Sequence, residues 1–598
     1  MDYKRLWGMM AAGLMLFSCS KMSIDVNNTQ AAGTDDTAAS FNVDNEEDYI
    51  SSVSFARTVG VVYSAGGATV SHADGLTVAV NGNDVTITND GEEIILYELS
   101  GSASDGFFKL YSDRKQGIKL SGLSLTNPDG AAINNQSHKR TFVVLEGTNT
   151  LADGSSYGDE TDDEDMKAAF FSEGQLVFSG EGSLTVTANG KAGITSDDYV
   201  RFMEGPTVQV TSSAGNGVRG KDAIIVSGGN IDVEVSGTGR KGFSSDTLVY
   251  IGGGYTRIKT TGNTGTVDDE LTGAAGIKAD LRFVMDDGTL EVTSTGTGGK
   301  GISGDNVGYF NGGTVTVKVT GANYGSSGSD NMGGGPRMGF GPTASTYTDD
   351  DSKAAKGIKF DGNLYFNGGT VSVSSASHEG IEAKGNIVFK GGTVYSYASD
   401  DAINASGDLT VSGGYVCGYS TGNDGLDANG NMYIQGGTTV AVGCGGAEVG
   451  LDANTEGGKT LYIQGGTILS YGGIENGASL SQACISTSWS SKTGYALYDG
   501  STLLMAFTAP ASGGTGLVIS APGLKSGGSY TLTSGVSLSG GDSYFDGLYV
   551  NEATVSGNGS ETSVTASTSV SGGGMGGGNM GGGGNMGGGG MGGPGFGR

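Results

Sequence analysis

The sequence of 598 residues contains few of the residues that interrupt strands, ligate metals through nitrogen or sulfur, or neutralise phosphate. It has 7 prolines, 4 cysteines, 3 histidines and 2 tryptophans. Its 33 lysines and arginines face 63 aspartates and glutamates, which gives a formal charge of −30. Because phosphate backbones and anionic lipids are bound through basic residues, this balance argues against nucleic acid and anionic membranes as partners. It favours cation binding.

Cysteine is too scarce for a disulfide framework. Apart from Cys19, the chain has only Cys417, Cys444 and Cys484. Their number is odd, and their spacing matches no metal-binding or disulfide pattern. We therefore expect these three residues to be small buried thiols.

A long apolar run is also missing, except for a short one at the N-terminus. Lys4 and Arg5 precede the mostly apolar residues 6–17, and Ser18 and Cys19 follow. A basic head, an apolar stretch too short to span a bilayer and a small residue before the cleavage point are typical of an export signal. Residues 16–19, Leu-Phe-Ser-Cys, resemble the lipobox of bacterial lipoproteins, in which the cysteine is diacylated.

This N-terminal pattern predicts the localisation of the protein. We expect residues 1–18 to be a lipoprotein signal peptide, Cys19 to be the lipidation site and the polar residues 19–50 to be a flexible tether. The lipid would be the only membrane attachment, at the outer membrane or cell surface. An ordinary signal peptide with an incidental cysteine is the alternative.

Glycine, in contrast, is abundant, with 115 residues, and many of the glycines are periodic. A tripeptide recurs at steps of 22–25 residues, with two longer steps. Its first residue is mostly small or charged, its second is Gly or Ala, and its third is apolar. A second signal in phase with the first is Gly-Gly followed by alternating apolar residues, as in residues 368–373. The apolar members of the tripeptides are Ile194, Val218, Phe243, Ile277, Ile302, Ile358, Ile381, Ile403, Leu426 and Leu451.

This periodicity predicts the fold class. Alternation at period two indicates strands with one buried face, and Gly-Gly supplies a turn with positive φ. A propeller blade needs about 40–45 residues, whereas about 23 residues suffice for one coil of short strands. We therefore predict an all-β protein whose residues 51–487 form a right-handed parallel β-helix. The longer steps before Ile277 and Ile358 would be loop insertions.

Beyond the repeat, the composition changes twice. Residues 488–571 contain alternating strands without the coil period, which predicts a C-terminal β-rich cap over exposed sheet edges. Residues 572–598 are almost entirely Gly, Met and Asn, so we expect a disordered tail.

The late coils carry acidic residues at fixed positions around the apolar residue, where the early coils carry Lys241, Lys300 and Lys356. Equivalent positions of a parallel helix stack about 4.8 Å apart. A column of carboxylates at that distance needs a cation, and hard oxygen ligands select Ca²⁺. A solvated charged rim without an ion is the alternative. The predicted ligands are Glu379, Glu382, Asp400, Asp401, Asn404, Asp424, Asp427 and Asp452.

The ordered series of these motifs resembles a bacterial family of extracellular carbohydrate-binding proteins. The resemblance rests on residues 356–361, 365–370, 379–382, 399–404 and 423–427 and extends over roughly residues 60–550. Members of that family are calcium-containing parallel β-helices, similar in architecture to pectate lyases, that bind cellulose and pectin-type polymers. The resemblance implies binding without demonstrated catalysis.

Together these observations predict a monomeric surface lipoprotein that binds polysaccharide, of cellulose or pectin and uronan type, through a Ca²⁺-assisted face of the helix. A polysaccharide lyase of pectate-lyase type and a structural adhesin are the alternatives. No catalytic residue is predicted, because the histidines are scattered and His378 is expected to be a surface residue. Tyrosines such as Tyr365, Tyr395 and Tyr433 could stack on sugar rings or pack on the sheet.

Overall fold

The structure is a computed structural model that describes residues 43–158, 164–325 and 354–569. The predicted signal peptide, Cys19 and the Gly/Met tail lie outside these residues. The chain divides into two units, Met1–Ser54 and Phe55–Arg598. In the first unit, two 3-10 helices run over Glu46–Asp48 and Ile50–Ser52.

The second unit begins with strands of irregular spacing and continues into the regular coils. The strands up to residue 294 are β1 (Arg57–Tyr63), β2 (Thr69–Ser71), β3 (Thr77–Asn81), β4 (Asp84–Asn89), β5 (Ile95–Ala103), β6 (Phe107–Ser112), β7 (Gln116–Asn127), β8 (Ile133–Asn135), β9 (Thr141–Glu146), β10 (Thr148–Asp153), β11 (Ala168–Ser172), β12 (Leu176–Ser179), β13 (Ser183–Ala188), β14 (Ala192–Ser196), β15 (Tyr199–Phe202), β16 (Thr207–Ser212), β17 (Val218–Gly220), β18 (Ala223–Val226), β19 (Asn230–Val235), β20 (Lys241–Ser245), β21 (Leu248–Thr260), β22 (Gly265–Val267), β23 (Glu270–Thr272), β24 (Ala275–Ala279) and β25 (Arg282–Ser294).

The later coils have shorter strands. They are β26 (Lys300–Gly304), β27 (Val307–Phe310), β28 (Thr314–Val319), β29 (Ile358–Phe360), β30 (Leu364–Phe366), β31 (Thr370–Ser375), β32 (Ile381–Ala383), β33 (Ile387–Phe389), β34 (Thr393–Ala398), β35 (Ile403–Ala405), β36 (Leu409–Val411), β37 (Tyr415–Ser420), β38 (Leu426–Ala428), β39 (Met432–Ile434), β40 (Thr438–Val442), β41 (Leu451–Ala453), β42 (Leu461–Ile463), β43 (Thr467–Tyr471), β44 (Ser479–Leu480) and β45 (Cys484–Ser488).

The C-terminal module, residues 488–569, has strands of its own and a 3-10 helix at Phe545–Gly547. Its strands are β46 (Gly494–Asp499), β47 (Thr502–Thr508), β48 (Gly516–Ser520), β49 (Ser529–Ser534), β50 (Ser537–Ser539), β51 (Asp542–Tyr544), β52 (Tyr549–Asn551), β53 (Thr554–Ser556) and β54 (Ser560–Thr565).

The coils form a parallel β-solenoid of about 14 turns, so the predicted fold class is confirmed. Each regular coil repeats three strands, as in β29, β30 and β31. The first strand includes the apolar residue of the tripeptide and belongs to a 15-stranded sheet, which we call the tripeptide face. The second and third strands lie in a 29-stranded sheet and form the middle face and the Gly-Gly face.

Glycine is required where the chain turns from the Gly-Gly face to the tripeptide face. A Cβ atom on Gly357 would lie 2.3 Å from Cγ1 of Val373, a core side chain of the facing strand. A Cβ atom on Gly301 would likewise lie 2.3 Å from Cγ1 of Val317. Such distances leave no room for a side chain. The second glycine of each Gly-Gly turn, such as Gly369 with φ +72°, has the left-handed backbone that favours glycine.

Inward side chains stack from coil to coil. The rings of Phe310 and Phe366 lie 4.8 Å apart, as do those of Phe366 and Phe389. All three are fully buried. Burial of each ring stabilises the fold by about 1.5–3 kcal/mol, so every coil contributes to one continuous core.

The longer step before Ile277 is an insertion, as predicted, because the antiparallel hairpin β22–β23 interrupts the coil there. Most of the step before Ile358 lies in residues 326–353, outside the described ranges. Cys417 and Cys484 are buried, but Cys444 is partly exposed. The prediction of a buried thiol is therefore wrong for Cys444, which lies in the loop after β40 rather than in a strand.

The C-terminal module folds back against the last coils. Its six-stranded sheet has the order β51-β52-β47-β46-β49-β54, and β48 pairs antiparallel with both β43 and β45. Outward-facing residues of the Gly-Gly face, including Val440 and Leu469, join Leu497 and Phe507 of the module in one buried apolar cluster. Across the three described ranges, we find no helix with the length and apolarity needed to cross a membrane.

Candidate functional site

Seven of the eight predicted ligands lie in two columns at the tripeptide face, and the eighth, Asp400, immediately precedes Asp401 of the first column. The first column contains Glu379, Asp401 and Asp424, each just before the glycine or alanine of its tripeptide. The second column lies on the strands, where Glu382, Asn404, Asp427 and Asp452 are consecutive register partners. The parallel pairing of β32, β35, β38 and β41 sets this register, so equivalent residues are about 4.8 Å apart.

The first column also holds the coils together. The Asp401 carboxylate accepts a hydrogen bond of 3.0 Å from the backbone N–H of Asp424. In the next coil, Asp424 accepts one of 2.5 Å from the backbone N–H of Val449. Both aspartates are 5% exposed. A short acidic side chain before the tripeptide therefore satisfies a backbone donor of the following coil.

A buried lysine ends the acidic columns on the side of the earlier coils. Lys356 is fully buried, and its Nζ lies 2.6 Å from Oε2 of Glu382 and 3.4 Å from Oε2 of Glu379. Nζ of Lys384 lies 2.7 Å from the other carboxylate oxygen of Glu382. Both glutamates thus already have cationic partners.

His378 joins this end of the site. Its Nδ1 contacts Oε2 of Glu379 and lies 3.4 Å from Oδ2 of Asp400. One ligand atom from each of these three residues lies within 4.8 Å of the others, which would allow them to hold a metal ion. The His378 side chain is 19% exposed, so it is partly buried, whereas the sequence predicted a surface histidine. Its neighbours come from two coils, and sequence distance conceals that contact.

Burial and neighbouring charges shift the pKa values of His378 and Glu379. Burial lowers the pKa of His378, but the hydrogen bond and the negative charge of Glu379 outweigh it and raise the pKa above its usual value. Burial likewise opposes ionisation of Glu379, yet His378 and Lys356 hold its pKa below the usual range. The two pKa values thus shift in opposite directions, as expected for an ion pair between Glu379 and His378.

The aspartates of the later coils lack such compensation. Burial together with neighbouring carboxylates raises the pKa of Asp401 to about 8, of Asp424 to about 9, of Asp427 to about 7 and of Asp452 to about 8. Within the described ranges, no lysine, arginine or histidine forms an ion pair with these four residues. Near neutral pH they must therefore keep protons or gain a cation.

The donor set of the later coils fits a hard cation. Asn404 donates through Nδ2 to Asp401 at 2.8 Å and to Asp427 at 3.2 Å, which leaves its carbonyl oxygen available as a ligand. Carboxylate and amide oxygens are the ligands that Ca²⁺ prefers. Asn404, Asp427 and Asp452 are only half-buried, so an ion there would be accessible from solvent.

One member of the second column, Glu475, was not predicted from the sequence. Glu475 follows Ile474, which forms a parallel bridge with Leu451, and a hydrogen bond joins Glu475 to Asp452. Glu475 is 8% exposed. The signal was present, because residues 473–475 repeat the Gly-Ile-Glu of residues 380–382.

The tyrosines that could have stacked on sugar rings mostly contact other tyrosines or the C-terminal module. Tyr365 stacks on Tyr309 with ring centroids 5.1 Å apart, and Tyr433 stacks on Tyr462 at 5.0 Å. Tyr395 packs against the apolar cluster of the C-terminal module. These contacts favour the packing alternative.

A second acidic group lies in the early coils. Asp165, Glu173 and Asp197 bring one ligand atom each within 4.8 Å of the others. Nζ of Lys167 lies 2.5 Å from Asp165 and 2.6 Å from Asp197, so two of these carboxylates are already neutralised. Residues 159–163 of the adjacent acidic loop lie outside the described ranges.

Comparison with protein families gives a match over most of the solenoid. The model of a family described as carbohydrate-binding domain-containing proteins matches residues 81–402 and 374–425. The chain belongs to this family. The carbohydrate-binding-domain match includes Glu379, Asp401 and Asp424 and ends before the C-terminal module.

Among solved structures, this family member is similar to a polysaccharide lyase-like protein from C. thermocellum, studied as a gadolinium derivative. The two chains are 24% identical, with a TM-score of 0.34, over 41% of this chain and 94% of the other. No curated protein matches the chain.

Proposed function

We propose that this protein binds acidic polysaccharide of pectin or uronan type, with Ca²⁺ held at the acidic columns of the tripeptide face. The observation that carries the proposal is the group of aspartates with raised pKa values and no cationic partner among the described residues. Asp401, Asp424, Asp427 and Asp452, with Asn404, are the proposed ligands. Family membership supports carbohydrate as the partner.

Calcium would link the protein to the glycan. A Ca²⁺ ion takes 6–8 oxygen ligands, more than the few half-buried side chains of one coil provide. The carboxylate of a uronic acid can supply the remaining oxygens, whereas a neutral glucan offers only hydroxyl groups. Selectivity for uronan over cellulose follows from this difference.

A lyase step forms no part of the proposal. Such a step needs a base that is free to remove the α-proton of a uronate. Lys356 and Lys384, which contact the acidic columns, both bind Glu382. Binding alone accounts for the arrangement of these residues.

Affinity electrophoresis through gels containing polygalacturonate tests the proposal directly. We expect Ca²⁺ to retard the protein and EDTA to restore its free mobility, with no retardation by hydroxyethylcellulose. The double variant Asp424→Asn, Asp427→Asn should migrate freely even with Ca²⁺. Asp305→Asn, which removes an acidic partner of Lys278 on the same face, is the matched control and should be retarded normally. Calcium-independent retardation by cellulose and uronan alike would refute the proposal.

We further propose that the protein is held at the cell surface by a lipid on Cys19. The Cys19→Ala variant should then appear in the soluble fraction, whereas Cys444→Ala should remain with the membranes. Membrane fractionation of Cys19→Ala like the wild type would rule out this anchor.

A further inference from the structure

The C-terminal module contains a cleft that lies outside the residues matched by the family model. Its volume is about 480 Å³, within the range of small-molecule sites. One wall is the outer side of the six-stranded sheet, and the other is formed by the β50–β53 ribbon and the glycine-rich residues 557–559. The other side of the sheet packs against the solenoid, so the cleft faces away from the buried cluster.

Register places polar side chains of three adjacent strands in this cleft. Tyr498 on β46 pairs with Thr531 on β49, and Thr533 on β49 pairs with Glu561 on β54. Tyr530 and Leu532, the alternate residues of β49, point instead into the buried cluster. The four cleft residues therefore lie on one side of the sheet.

Two local features indicate a binding site rather than a surface depression. Thr533 is 9% exposed, and its hydroxyl has no hydrogen-bond partner among the described residues. The pairing of β46 with β47 shifts register between Leu497 and Tyr498, so that Leu504 is an extra residue. Such bulges redirect side chains and are frequent next to functional sites.

The chemistry of the lining selects the kind of ligand. Tyr498 offers an aromatic ring, Thr531 and Thr533 offer hydroxyl groups, and Glu561 and Asn558 offer a carboxylate and an amide. These side chains form no hydrogen bond or ion pair within the described ranges. The described lining contains no lysine, arginine or histidine, so Glu561 would repel a uronate.

The geometry points to a second carbohydrate site in this cleft, for a mono- or disaccharide unit of a neutral glycan. The inference rests on the proposed carbohydrate binding but not on calcium or on the acidic columns. The protein would then contact two kinds of polymer, a uronan at the solenoid and a neutral glycan at the C-terminal module.

Saturation-transfer difference NMR on the full chain in EDTA tests this site with cellobiose, mannobiose, lactose and digalacturonate. We expect a signal from at least one neutral disaccharide and none from digalacturonate. Thr533→Val removes only an unpartnered hydroxyl, so it should leave the melting temperature unchanged and weaken the signal about fivefold or more. Glu561→Gln should weaken it similarly, whereas Thr565→Val on the same strand should not.

The outcomes separate this inference from the proposed function. The double variant Asp424→Asn, Asp427→Asn should retain the disaccharide signal in full, because the cleft needs no calcium. No signal from any neutral disaccharide, or a signal that survives both Thr533→Val and Glu561→Gln, would overturn the cleft site and leave uronan binding untouched. Failure of uronan binding alongside a normal disaccharide signal would overturn only the proposed function.

Discussion

Asp427 and Asp452 are direct register partners on β38 and β41, so two carboxyl groups stack on one face with no residue between them. Burial and neighbouring carboxyl groups raise the pKa of both, to about 7 and about 8. At neutral pH the pair therefore carries protons unless a cation replaces them. The proposed calcium site depends on this competition between protons and Ca²⁺.

The first prediction concerns stability without calcium. A carboxyl group whose pKa is higher in the folded than in the unfolded state stabilises the fold below its unfolded pKa, and that contribution is lost as pH rises through the folded pKa. For Asp401, Asp424, Asp427 and Asp452 the loss begins as pH rises above their ordinary pKa of 3.8 and is complete near the folded values of about 7 to about 9. In EDTA, differential scanning calorimetry should show a melting temperature that falls over this range. With Ca²⁺ present the fall should disappear, and a flat profile in EDTA would argue against the raised pKa values.

The second prediction concerns the buried ion pair. Replacing Lys356 by Met removes the buried cation that Glu379 and Glu382 share and leaves them only His378 and Lys384, which should lower the free energy of unfolding by about 3–5 kcal/mol. Adding Glu382→Gln to Lys356→Met should recover part of that loss, because one of the two buried negative charges is removed. Lys318→Met, at an exposed position, should change stability by less than about 0.5 kcal/mol. Urea unfolding measures all three, and equal effects of Lys356→Met and Lys318→Met would contradict the ion pair.

The third prediction concerns His378. Because the chain has only 3 histidines, an NMR titration can follow each imidazole separately. His378 should titrate above 6.5, and Glu379→Gln should lower its pKa. A raised histidine pKa stabilises the fold below 6.5, and that contribution is lost as pH rises through the folded value. Titration of His378 at or below 6.5 would show that Glu379 does not outweigh burial, and an unchanged pKa in Glu379→Gln would show that the two side chains do not interact.

Much of the solenoid could be predicted from sequence, because the coil period leaves a direct trace in the glycines. Gly357 is fixed by its close approach to Val373, and the same relation recurs from coil to coil. In one coil Ala402 takes the place of this glycine. The facing strand has room for its methyl group, because the residue sixteen positions later is Gly418 rather than valine. A periodic steric requirement is visible in sequence even when single motifs are weak.

The site was less predictable where contacts depend on side-chain geometry. The columns followed from the register, but the contact of His378 with Asp400 crosses from one coil to the next at a turn. Glu475 could have been predicted, because Ile474 follows Leu451 by 23 residues, within the coil period. The packing of the C-terminal module on the Gly-Gly face leaves only one trace in the sequence, the apolar outward positions such as Val440 and Leu469.

The most direct test of the account is calorimetric titration of Ca²⁺ into the calcium-free protein near pH 7.5 in two buffers of different ionisation enthalpy. If Ca²⁺ displaces protons from the aspartates, the observed heat will depend on the buffer, and protons will be released for each ion bound. The Asp424→Asn, Asp427→Asn variant should lose both the binding and the proton release, while Asp305→Asn should keep both. Absence of any calcium-binding heat, or binding without proton release, would contradict the exchange of protons for calcium at the acidic columns.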